Sequence, residues 1–153
     1  MRTNFANKLV LALGLLMLAM CIIAPNVSAT DYSQMEKISE NLLSDSQYNL
    51  GIIAPSVSIG PYLVSVNYIG ASVTTEAIMK DVGSIVGVYW AIVDKYPEVG
   101  DLLITIEDIN GNAIGTLTCQ KNWVSGLDIN DASANQRVAL KVMLTTKTVG
   151  AAA

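Results

Sequence analysis

The segment Thr75–Lys95 constrains the fold more than any other part of this sequence. With successive residues about 100° apart, Ile78, Val82, Ile85, Val86, Tyr89, Ile92, Val93 and Tyr96 fall on one broad face. That spacing predicts a long amphipathic helix with this face in the core. Thr74 is placed to cap its first turn, and Glu76 to complement its positive end. Pro97 stops it, because a proline drives the residue before it out of helical geometry. The opposite side carries Glu76, Lys80, Gly83, Gly87 and Asp94. So wide an apolar face needs a sheet or other helices to cover it.

Strand patterns flank this helix. Residues 50–59 and 62–69 read as two strands joined at Gly60 and Pro61. In the second, Val64, Val66 and Tyr68 alternate with Ser65 and Asn67, the period of a half-buried strand. Pro55 predicts that the first strand is an edge or is broken. Asp101–Glu107 and residues 114–123 form a second hairpin, with Asn110 and Gly111 in its connection. Residues 31–44 read as a short amphipathic helix with a Ser33…Glu36 capping box. Its Tyr32, Met35, Ile38, Leu42 and Leu43 gather on one side.

Residues 131–148 carry two signals. Val138, Leu140, Val142 and Leu144 alternate as in a strand, while Ser133…Gln136 is a second capping-box pattern in a helix-favouring composition. We read helix, with a further sheet strand as the alternative. The order α-β-β-α-β-β-α then predicts a single small α+β domain, an antiparallel sheet of about four strands with packed helices. This order resembles that of Roadblock, profilin-like and PAS-like sensor domains in architecture alone. No motif accompanies the resemblance, and fold does not specify function.

The first 29 residues read as a secretory signal. Arg2 and Lys8 precede an apolar run at residues 9–24, and Val27, Ser28 and Ala29 supply a cleavage site. The run is 16 residues long, against the ~20 of a spanning helix. Cleavage after Ala29 leaves one domain, residues 30–153, exported to the medium or the cell envelope. The rivals are a retained N-terminal anchor and lipidation at Cys21, where Leu18-Ala19-Met20-Cys21 resembles a lipobox with Met20 out of pattern. Membrane association is expected only through such an uncleaved signal or lipid anchor. The sole glycosylation sequon, Asn26-Val27-Ser28, would leave with the signal.

Composition excludes several function classes. After cleavage the chain carries seven basic and thirteen acidic residues, and no basic cluster exists. Nucleic-acid binding needs phosphate neutralisation and is not expected. The chain has no histidine, which removes Ser-His-Asp and Cys-His catalysis and zinc sites of the Cys/His kind. Cys119 stands alone after cleavage, so the core must hold the domain without an internal disulfide. Inside an apolar strand it reads as a small buried hydrophobe; an intermolecular disulfide is the other reading.

Few residues suggest chemistry. Asp108, Asn110 and Asn112 place oxygen side chains at alternating positions, as calcium loops do. No twelfth-position glutamate completes an EF-hand, and turn chemistry accounts for the same residues. Glu107 and Asp108 would point to opposite faces of a strand, and Glu76 and Asp81 lie apart around a helix. A carboxylate-dependent hydrolase is therefore the third reading. No cofactor motif is present.

Gly83, Gly87 and Ala91 form a small-residue stripe for close approach of another helix, from a partner or from this chain. Trp123, Lys121 and Tyr62 are the candidate ligand or partner surface. The expected function is a noncatalytic exported domain that binds a protein partner in the envelope or in an extracytoplasmic assembly, or that self-associates. The alternative is a soluble small-ligand-binding or sensor domain.

Overall fold

The computed structural model describes residues 30–45, 50–128 and 130–145. The expected signal, with Cys21 and Asn26, lies outside the described residues, as does the tail from 146 onward. The elements run α1 (Ser33–Ser44), β1 (Ile52–Ile59), β2 (Leu63–Gly70), α2 (Thr75–Lys95), β3 (Asp101–Glu107), β4 (Ala113–Cys119) and α3 (Ala132–Thr145). A single 3-10 turn, Lys121–Trp123, follows β4. This is a small α+β domain in the order α-β-β-α-β-β-α, and residues 132–145 form the expected helix.

The strands form one sheet in the order β1-β2-β3-β4. Both hairpins are antiparallel, but β2 and β3 run parallel, with Leu63 opposite Asp101 and Ile69 opposite Glu107. The sheet is therefore mixed, where an antiparallel one was expected. The reason is α2: a crossover helix returns the chain to the end of the sheet it left, so the next strand starts in the same direction.

One face of the sheet is buried and the other is not. Val57 and Ile59, Val64, Val66 and Tyr68, Leu102, Ile104 and Ile106, and Leu117 and Cys119 share the core with the helices. The alternate residues of β2 and β3 all remain half-buried or exposed. Helix α2 is the centre of the core, with every residue from Asp81 to Val93 buried. The side opposite the apolar face is thus covered at Gly83 and Gly87, because α3 packs there. Thr74 caps α2 as expected, accepting from the Ala77 N–H at 3.3 Å.

Both predicted capping boxes are replaced. At α1, the Ser33 hydroxyl and N–H donate to Asp31 (2.6 and 2.9 Å), and Glu36 turns away from the helix start. At α3, Asp131 caps the helix, accepting from the Ser133 N–H and hydroxyl (2.9 and 2.6 Å) and the Ala134 N–H (3.2 Å). Glu36 and Glu40 of α1 instead accept from the N–H groups of Ile59 and Val57 at 2.8 and 2.9 Å. They occupy the outer amides of β1, which is an edge strand as Pro55 required. Beside that proline, Ala54 takes φ of 47°, and the pairing shifts register between Ile53 and Ser56. This is a bulge of the kind that relieves a missing amide at an edge.

Gly100 joins the two hairpins. A Cβ there would lie 1.9 Å from the Tyr62 carbonyl oxygen, so only glycine permits the approach. Its own carbonyl accepts from the Tyr89 hydroxyl at 2.8 Å, which ties α2 to this end of the sheet.

Candidate functional site

The small-residue stripe lies inside the chain. Gly83, Gly87 and Ala91 are all buried in α2. With its amide assigned from the hydrogen-bonding it meets, Asn135 of α3 donates to the Gly83 carbonyl at 3.0 Å. Its amide oxygen accepts from the Gly87 N–H at 3.2 Å. Ala139 lies 4.0 Å from where a Gly83 Cβ would stand. The glycines thus expose helix backbone to a buried asparagine of the same chain. The sequence marked Asn135 only as part of a capping pattern, and no local signal distinguishes it from a cap.

The second candidate group is split. Tyr62 is 89% exposed and immediately precedes β2. Lys121 is at the same end of the sheet: its N–H donates to Asp101 at 2.8 Å, and its ammonium donates to the Pro97 carbonyl. Trp123 does not end a strand as expected but belongs to the 3-10 turn, and turns toward α3. The Lys141 ammonium lies 4.3 Å from its ring centroid, so a cation–π contact of the chain's own covers one ring face. Asp101, Gln120, Lys121, Asn122 and Ser125 line an open depression of about 410 Å³ here.

Asp108 is consumed by its turn. Its Oδ1 accepts from the N–H groups of Asn110 and Asn112 at 2.8 and 2.9 Å, and its Oδ2 from the Asn112 amide at 3.0 Å. These bonds hold its carboxyl below the usual range. Gly111 supplies the positive φ of 81°. Among the described residues, no three His, Cys, Asp or Glu side chains come together as a metal group would. Cys119 is fully buried, and burial pushes its thiol up to about 12. It is a protonated core residue at neutral pH.

The most unusual polar groups were not among the candidates. Asp81 in α2 is 1% exposed, and Tyr68 in β2 is equally buried. The Asp81 Oδ1 accepts from the Gly51 N–H at 2.9 Å. Its Oδ2 and the Tyr68 hydroxyl face each other, close enough for the hydroxyl to act on the carboxylate as a donor though outside full hydrogen-bond geometry, and the buried Ser39 hydroxyl of α1 has no partner. Burial raises the Asp81 pKa above the ordinary carboxylate value, and burial and the nearby Asp81 charge raise that of Tyr68. An aspartate within a core helix announces itself in sequence only as a polar break in an apolar face.

Among the described residues, no element covers the sheet face opposite the helices. Register across the four strands places Ser58, Ser65, Leu103 and Thr118 in one row, and Ser56, Asn67, Thr105 and Thr116 in the next. Ile53 and Ile69 pair beyond them, followed by Glu107. Neither central row contains a charge. Compared with family models, with curated proteins and with solved structures, the chain has no match.

Proposed function

We propose that the protein is an exported, noncatalytic domain whose uncovered sheet face binds a protein partner in the cell envelope or an extracytoplasmic assembly. The observation that carries this reading is the charge-free pair of rows across β1 to β4. Protein interfaces are depleted of charge at their centres, whereas purely solvated strands commonly carry Lys and Glu. Here the charged residues Asp101 and Glu107 stand at the ends of β3, and Thr105 and Asn67 occupy the middle. Export is supported by the charged, apolar and small-residue order of residues 1–29. Among the described residues, no helix is long and apolar enough to cross a membrane.

The test is site-specific photo-crosslinking in the native host. A photoreactive residue at Thr105 should trap one defined protein, and one at Gln136 on the exposed side of α3 should not. The Asn67→Arg variant should abolish the Thr105 adduct while leaving the melting temperature unchanged. Equal adducts from Thr105 and Gln136, or none from Thr105, would overturn the assignment of this face.

A further inference from the structure

The turn between β3 and β4 carries the one Asn-Gly pair of the sequence, Asn110-Gly111. Such a pair is chemically reactive. The side-chain amide carbon of an asparagine lies within reach of the next residue's backbone nitrogen, and glycine has no Cβ to obstruct the approach. Here both residues are exposed, and a Cβ placed at Gly111 would meet nothing within 4 Å, so solvent reaches the pair freely. The turn nevertheless engages the nitrogen. The Gly111 N–H donates to the Asp108 carbonyl at 3.0 Å. The Asp108 carboxylate holds the turn in that shape, accepting from the N–H groups of Asn110 and Asn112 at 2.8 and 2.9 Å. Attack needs the Gly111 nitrogen deprotonated and released from its bond, so the closed turn withholds the nucleophile.

We propose that Asn110 is a site of spontaneous deamidation and isoaspartate formation held in check by the Asp108 turn, so that the modification marks chains whose β3–β4 turn has opened. The Gly111 N–H gives its proton to solvent base, and the nitrogen bonds to the Asn110 side-chain amide carbon. The carbon–nitrogen bond of that amide breaks and ammonia leaves, taking a proton from water. A cyclic imide remains. Water then opens the imide at either carbonyl. Attack at the former side-chain carbonyl gives aspartate, and attack at the backbone carbonyl gives isoaspartate. In both products water has replaced ammonia, with no change of oxidation state. Isoaspartate runs the backbone through the side-chain methylene, which lengthens the connection, and it sets a new carboxylate two residues from Asp108. The bonds from Asn110 and Asn112 to Asp108 cannot re-form on the longer path, so the turn stays open once modified. The adjacent Asn112 is the internal control. It is followed by Ala113, whose Cβ obstructs the same attack, and its side-chain amide donates to Asp108 at 3.0 Å. The inference is independent of the partner-binding face, because it uses the turn and none of the residues in the two central rows.

The test is incubation of the purified chain at mildly alkaline pH, with peptide mapping by mass spectrometry and labelling by an isoaspartate-specific methyltransferase. Conversion should be confined to Asn110. It should be slow in the native chain and at least about tenfold faster in the chain unfolded in urea, where the bonds that hold the turn are gone. Asp108→Ala removes the acceptor of the turn and should speed native conversion about tenfold, the scale of losing one hydrogen bond to a charged group. Asp108→Asn keeps an acceptor for the two N–H groups and should stay close to the wild-type rate. Hydrogen exchange at Gly111 and Asn112 should quicken in the modified fraction. The comparison of native with unfolded wild type decides the question even should Asp108→Ala fold poorly. Native conversion at the unfolded rate would overturn the proposal, as would a folded Asp108→Ala no faster than wild type. Conversion of Asn112 at the rate of Asn110, or none at Asn110 in the unfolded chain, would overturn it too.

Discussion

Replacing Asp81 by asparagine should stabilise the protein at neutral pH. The carboxylate is almost fully buried, and burial outweighs the Gly51 N–H, Lys80 and the Tyr68 hydroxyl, which favour its charged form. Asparagine keeps the acceptor for the Gly51 N–H and exchanges the charged second oxygen for a neutral donor beside the Tyr68 hydroxyl, which can then accept. A buried polar group without a partner costs about 1–3 kcal/mol, more when charged. Asp81→Asn should therefore gain about 1–3 kcal/mol at pH 7, or roughly 3–6 °C in Tm for each kcal/mol. The pH dependence follows from the raised pKa. A group whose folded pKa lies above its unfolded value contributes stability below the unfolded value. That contribution is lost as pH rises through the folded pKa. The gap between variant and wild type should therefore vanish below the unfolded value of about 3.9, where the carboxyl is protonated in both states, and open as pH rises from there through the raised folded pKa. Asp31, Asp108 and Asp131 have lowered pKa values, so they add stability that is lost on acidification, but they do so in both proteins. The difference between the two denaturant-unfolding curves across pH isolates Asp81. A variant that is less stable at pH 7, or a gap that does not change with pH, would refute the view that burial outweighs what favours the Asp81 charge.

Gly83→Ala should be neutral to stabilising by up to about 1 kcal/mol, the helix-propensity gain over glycine. The added methyl would lie 3.9 and 4.0 Å from Asn135 and Ala139, ordinary contact distances, and chemical denaturation reads the change. Gly100→Ala should cost about 3 kcal/mol or more through overpacking, because the methyl would collide with the fixed Tyr62 carbonyl. Soluble, fully folded Gly100→Ala with an unaltered Tm would contradict that geometry. Cys119 should resist thiol reagents at pH 8 in the native state and react at once in denaturant, since burial keeps it protonated to about pH 12. Native labelling at the rate of a free thiol would show that the β4 end of the core opens.

What the sequence made legible was periodic and local. The span of α2, its Thr74 cap, the turn at Gly111 and the edge position of β1 all follow from patterns a few residues long. Direction was not legible: no residue of β3 records that it runs parallel to β2, since that depends on the path of α2. The capping boxes show the same limit from the other side. Ser33 and Glu36 have the right spacing for reciprocal capping, yet the glutamate bonds an amide 23 residues away. Asp31 and Asp131 could take over the helix starts because each stands two residues before the serine it binds. A local pattern fixes which bonds are available, and tertiary contact decides which are made.

The glycine stripe extends that argument to the candidate surfaces. Gly83 and Gly87 did mark a close helix approach, but nothing within residues 83–91 says whose helix approaches. The answer lies at Asn135, about fifty residues later in the chain, whose amide matches the backbone groups that the glycines leave bare. The same pairing narrows where a partner can act. With α2 covered by α1, α3 and the sheet, and with Glu36 and Glu40 holding the β1 edge, little backbone remains available. Among the described residues, the charge-free rows of the sheet stay open. That surface was invisible in sequence because it is defined by what the described helices leave uncovered.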